Sequence, residues 1–289
     1  MWTYWILASA VFLAFYDLAK KASVRNNAVL PVLLVATSAG GAAYVAVLGL
    51  AGGIPSALDV SARDLALITI KSLIVATSWV LTYCALKTLP ITIATPIRAS
   101  APALVFVAAF FLYGERPTMV QGCGMLLVFA GYWAFSKAGK VEGIDFLHSR
   151  AVWLAVGGMC MSALSSMWDK FILQRCAIPV EKVQLWFQLG LVAVYAALLL
   201  GERFLRMERT RFEWRWTIPA TGILLAAADW LYFHGLAIPD VQISVGSLMR
   251  RFSVVITFIL GAAVFRERNI KRKGVALAAI LAGILLLCL

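Results

Sequence analysis

Apolar runs about as long as a membrane crossing, each closed by a short polar, glycine- or proline-bearing connection, fill the chain from end to end. A spanning helix needs about 20 mostly apolar residues at about 1.5 Å each. Ten stretches reach that scale, at about 2–19, 29–50, 65–86, 91–112, 119–135, 151–172, 183–200, 216–235, 243–265 and 274–289. Each is expected to form one transmembrane helix, which makes the fold class all-α and membrane-embedded. The first stretch is apolar enough for a secretory signal, yet Lys20, Lys21 and Arg25 follow it without a small-residue cleavage site, and no basic segment precedes it. It reads as the first span, with no organelle presequence ahead of it.

Composition narrows the class further. The chain is 62% hydrophobic and only 14% charged, whereas a soluble domain is about half apolar and about a quarter charged. Neither a water-soluble globule nor a disordered chain fits. The 26 Lys and Arg against 14 Asp and Glu give a net charge of +12, which in a soluble protein would point to nucleic acid. Here the basic residues sit in connections between apolar runs, so cytoplasmic loop charge is the simpler account. Cys84, Cys123, Cys160 and Cys288 lie inside apolar runs and Cys176 just past one. They form neither a metal cluster nor a disulfide framework, and no cofactor is expected.

Sliding the chain over itself by 152 residues reveals an internal repeat. Ala85 falls on Ala237, Ile91 on Ile243, Arg98 on Arg250, Phe106 on Phe258, Glu115-Arg116 on Glu267-Arg268, Gly122 on Gly274 and Ala130-Gly131 on Ala282-Gly283. The same shift lays Asp17 on Asp169. Two copies are expected, at 1–140 and 150–289, each with five spans. An odd number of crossings inserts the second copy upside down, the inverted-repeat plan of secondary transporters with a site near the midplane.

With this repeat, the segment Ala85-Leu86-Lys87-Thr88-Leu89-Pro90 before the fourth span, Gly114-Glu115-Arg116-Pro117 after it and Phe265-Arg266-Glu267-Arg268 after the ninth, the chain resembles the drug/metabolite transporter superfamily, in particular its ten-helix EamA-type members. The resemblance runs over the whole chain and implies alternating access through a central cavity. Spans 1, 3, 4, 6, 8 and 9 would line it, with spans 5 and 10 outside. The membrane glutamate that small multidrug members carry in their first span is missing, as are the Asn-rich signatures of nucleotide-sugar carriers.

Loop charge gives an orientation. Lys20, Lys21, Arg25, Lys87, Lys137, Lys140, Arg150, Arg203, Arg206, Arg209, Arg211, Arg215, Arg266, Arg268, Lys271, Arg272 and Lys273 fall on one face, and Arg63, Arg116, Lys170, Arg175 and Lys182 on the other. Cationic loops stay cytoplasmic, so both termini are expected outside, in a bacterial inner membrane.

Ionisable residues within spans point to function, because a charge at the bilayer centre costs at least about 2.5–3.5 kcal/mol. Arg98 and Arg250 lie seven residues into the fourth and ninth spans, about 10 Å from their ends. Inversion would bring them to the midplane from opposite sides, where two guanidinium forks, with Arg251 beside them, suit one phosphate, sulfonate or carboxylate. By resemblance, the triose-phosphate translocator branch holds its substrate phosphate with an adjacent basic pair on helix 9 and another basic residue on helix 4. Arg250-Arg251 and Arg98 are similar in placement. The competing account pairs each arginine with Asp17, Asp169 or Asp229 inside the bundle.

On the eighth span Asp229 and Tyr232 share a face beside Trp230 and His234, and on the third Trp79 and Tyr83 share another. These aromatics are candidates for lining a substrate pocket or for packing. Asp229 suits a proton carrier or an arginine counter-ion, and His234 a titrating or a structural role. Asp17 and Asp169, near opposite membrane faces, are candidate gate contacts. Gln184 and Gln188 fit a helix–helix hydrogen bond or the cavity.

The leading expectation is a secondary transporter, exporter or exchanger, for a small anionic or zwitterionic metabolite held by Arg98 and Arg250. Export of amino acids or related neutral solutes is the second reading, and a flippase for a phosphate-bearing lipid the third. An enzyme is not expected, since two histidines, His148 in a connection and His234, supply neither a nucleophile–base pair nor metal ligands. No ATP-binding motif appears, so a gradient or exchange would drive transport. The partners expected are the substrate and the lipid bilayer, not nucleic acid, and a homodimer stays open.

Overall fold

The computed structural model describes residues 2–101, 103–104, 118–141, 144–204, 211–236, 249–250 and 252–287. Regular structure among them is helical throughout: α1 Trp2–Val24, α2 Val29–Leu50, α3 Ile54–Leu58, α4 Ala62–Thr88, α5 Ile91–Ala99, α6 Met119–Val141, α7 Arg150–Lys170, α8 Val180–Phe204, α9 Thr217–Leu236, α10 Phe252–Val264 and α11 Ile270–Leu287. A π-helical turn, Phe171–Arg175, continues α7. Among the described residues five helical stretches are long and apolar enough to cross a membrane, Val29–Leu50, Ala62–Thr88, Met119–Lys140, Arg150–Leu173 and Val180–Glu202. Phe129, Trp133, Ile259 and Val275 are exposed on the outer faces, where lipid replaces water as solvent.

Every apolar run carries helix over its described residues, and the differences lie at the ends. α1 was expected to stop near residue 19 at Lys20 and Lys21, but it runs to Val24 because both lysines are buried against neighbouring helices. α6 continues past residue 135 to Val141, since Lys137 lays its ammonium 3.5 Å over the Trp133 ring and Ala138 is buried. The short α3 had no signal of its own; it follows Gly52, whose φ of +71° suits glycine, and buries Ala57 against Leu48 and Leu185. α4 opens on a Ser61 cap that accepts from the Asp64 amide at 3.1 Å, and ends where Pro90 bars continuation.

The helices pair across the two halves of the chain. α1 packs on α9 and on α10, and α7 packs on α4 and on α5; α4 packs on α8 as α9 packs on α2. α6 packs on α11, α2 on α8 and α5 on α10. The α6–α11 contact is reciprocal: a Cβ on Gly131 would lie 2.9 Å from the Ala276 carbonyl oxygen, and one on Gly283 2.6 Å from that of Gly124. At the α2–α9 crossing a Cβ on Gly222 would lie 1.9 Å from the Ala36 carbonyl oxygen, so only glycine fits. Small residues of this kind let membrane helices approach closely where no hydrophobic force drives them together.

Candidate functional site

Buried charge collects at the faces where α1, α4, α5, α7, α9 and the segment before α10 meet. Asp17 on α1 is 1% exposed. One of its oxygens accepts from Lys20 at 2.9 Å and the other accepts from the Arg98 guanidinium. Lys20, itself buried, lies 4.5 Å over the Tyr16 ring and 5.7 Å from that of Tyr83. Asp17 had been expected near a helix end. Because α1 continues for about two more turns, its carboxylate is instead an interior one.

α5 presents Arg98 because both sides of the corner before it are tied down. Lys21 donates to the carbonyl of Leu89 at 2.6 Å and to that of Leu86, capping the end of α4. From the turn ahead of α11, Glu267 accepts from the amides of Ile91 at 2.7 Å and Thr92 at 3.3 Å and from the Thr92 hydroxyl, capping the start of α5. Lys273 completes the cluster, 3.7 Å from Glu267 and donating to the Thr92 hydroxyl at 3.1 Å. By sequence Lys21 and Lys273 belong to the cationic connections of one face. Both are buried.

Two further ion pairs lie nearer the face where α4 begins and α9 ends. Arg250 donates to Asp229 and stacks its guanidinium carbon 4.4 Å from the Tyr232 ring centre. The shared face of Asp229 and Tyr232 is thus occupied by one arginine, whose Nε is buried without a hydrogen-bond partner. Lys71 on α4 pairs with Asp169 at the end of α7 and lies 4.7 Å over the Phe187 ring. Sequence reasoning missed Lys71, a solitary cation inside an apolar run.

Between these layers Tyr16, Thr37, Trp79, Tyr83, Gln188 and Thr221 line a space of about 10 Å³, room for about one water. A second small cavity, also about 10 Å³, is lined by Asp17, Lys20, Thr82, Thr95 and Arg98. Tyr83 and Tyr195 are almost wholly buried nearby, the Tyr195 hydroxyl without a hydrogen-bond partner.

Of the candidates, Trp79 and Tyr83 therefore share one cavity with Gln188. Arg98 and Arg250 do not meet at a common partner; each holds its own carboxylate. Trp230 turns away from the charged cluster, 40% exposed and edge-on to Trp5 with ring centres 6.0 Å apart, in an apolar groove of about 300 Å³ between α2 and α9. Arg251 and the side chain of His234 lie outside the described residues. Among the described residues no group of three His, Cys, Asp or Glu is placed to hold a metal ion. In the connection ahead of α7, Asp145 is bonded to His148 at 2.8 Å, which holds its carboxyl below the usual range, but both are solvated.

Residues 1–137 match the model of the EamA-like transporter family. No curated protein matches the chain. One crystal structure, described only as that of a protein, resembles it with a TM-score of 0.61 and 23% identity over 97% of this chain and 94% of the other. At that identity the likeness speaks for the fold.

Proposed function

We propose that the whole chain is a secondary transporter moving a small anionic or zwitterionic metabolite by alternating access, since residues 1–137 match the model of the EamA-like transporter family. The two halves, 1–140 and 150–289, act in this reading as inverted five-helix repeats. Support comes from the packing: the 152-residue shift exchanges the α1–α9 contact with α7–α4 and the α2–α9 contact with α8–α4. It also exchanges Gly131 against Ala276 with Gly283 against Gly124.

The observation that carries the substrate class is the charge around the small cavities of the bundle. Lys20, Arg98, Lys71 and Arg250 face three carboxylates, Asp17, Asp169 and Asp229. An excess cation in a low-dielectric site attracts an anion more strongly than it would in water. Arg98 and Arg250 are the anion-holding residues in this proposal, with Arg251 beside them, and Asp17 and Asp169 act as gate contacts that part as the halves rock.

A thermal-shift screen of purified protein against carboxylated, sulfonated, phosphorylated and neutral metabolites tests it. A ligand at a hundred times its Kd stabilises the fold by about 2.7 kcal/mol, so an anionic or zwitterionic compound is expected to raise the melting temperature. Stabilisation by neutral solutes alone would overturn the substrate class.

We also propose that the basic loops face the cytoplasm of a bacterium and the termini lie outside. In a cysteine-free background, an impermeant thiol reagent applied to intact cells is expected to label Asp59→Cys, beyond α2, and to spare Arg211→Cys, ahead of α9. The opposite pattern would invert the topology.

A further inference from the structure

We propose that the anionic group of the substrate is received by Lys20 and Arg98 together, in the cavity between α1, α4 and α5, and that it is a monoanion, a carboxylate or a sulfonate. The proposal rests on the transporter reading above and gives it a place and a charge. Among the described residues the Arg250 and Lys71 clusters each match one cation to one carboxylate, so each is neutral for as long as its pair holds. The Asp17 cluster differs. Two cations, on adjacent elements, share the two oxygens of a single carboxylate that is 1% exposed.

Among the described residues one positive charge therefore stays uncompensated in a largely buried site, and one negative charge would neutralise it. A bound monoanion leaves the cluster neutral. A dianion leaves a buried net negative charge, which low dielectric penalises as strongly as the present positive one.

The geometry fits the task. Lys20 is fixed by the rings of Tyr16 and Tyr83, so its ammonium is a preset contact rather than a mobile one. Arg98, at 29% side-chain exposure, is the accessible member of the cluster, while Lys20 at 3% is the deep one. The ligand meets the guanidinium first and the ammonium on seating. Thr82 and Thr95 line the same cavity. Its present volume, about 10 Å³, holds about one water, so an oxyanion takes the place of solvent as α5 moves relative to α1.

The test uses three probes that differ only in the head group: an alkyl carboxylate, an alkyl sulfonate and an alkyl phosphate, titrated into purified protein at a pH where the phosphate is dianionic. Wild type is expected to bind the first two at least about tenfold tighter than the phosphate. Lys20→Met, which leaves the neutral Arg98–Asp17 pair and should fold, is expected to lose monoanion affinity at least about tenfold. Lys20→Arg, which keeps the charge, should retain the monoanion preference. A wild-type preference for the dianion overturns the proposal without any variant, and so does unchanged affinity in Lys20→Met, while both leave an anion transporter standing. If no anionic probe binds wild type at all, the transporter reading of the substrate fails instead.

Discussion

Asp17→Asn is expected to unfold at a markedly lower temperature than wild type in the same detergent, and to recover on addition of a small monoanion. The substitution leaves Lys20 and Arg98 side by side without a carboxylate, with the Lys20 side chain only 3% exposed. Removing one partner of a buried ion pair costs about 3–5 kcal/mol, because the remaining charge is uncompensated. Here two charges are stranded by one substitution. Coupling Asp17→Asn with Lys20→Met leaves only one stranded cation, so the double variant should be more stable than the single. Tryptophan fluorescence during heating reports both. An Asp17→Asn protein as stable as wild type without ligand would show that the carboxylate does not hold this cluster together.

How far the sequence foretells this site depends on what fixed each residue's neighbours. α2 falls on its predicted range, Val29–Leu50, because polar Asn26-Asn27 precede it and the Gly52-Gly53 turn follows it. The end of α1 was misplaced because Lys20 and Lys21 look like loop charge until the Asp17 carboxylate and the end of α4 are seen to receive them. Arg98 and Arg250 stand out through the repeat and through their depth. Their partners do not: the repeat would give Asp169 to Arg250 as Asp17 is given to Arg98, yet Lys71 holds Asp169 and Arg250 holds Asp229. The shift of 152 lays Lys71 on Ile223 and Asp229 on Thr77. Two charges without counterparts thus break the symmetry of the pairing while the helix packing keeps it. Periodicity and repeats specify which helices touch, but an ion pair depends on which single side chains each half adds to that frame.

The pair added on α9 carries the second large effect. Asp229→Asn is expected to cost about 3–5 kcal/mol of stability, while Asp229→Leu combined with Arg250→Met should fold close to wild type, since it removes both charges and leaves apolar groups of similar volume. The difference between that double variant and the sum of the single ones measures the coupling, expected at the upper end of about 0.5–3 kcal/mol for contacting residues. Function separates two roles for the same pair. If Asp229 carries the coupling proton, its neutral form releases Arg250 once per cycle, and asparagine imitates that form permanently. Transport into liposomes by the surviving Asp229→Asn protein should then lose the pH dependence that wild type shows. If the pair only holds α9 to the segment ahead of α10, the variant keeps the wild-type pH profile at a reduced yield of folded protein. A retained profile together with a small coupling energy would remove Asp229 from both roles, leaving Arg250 supported by its stacking on Tyr232.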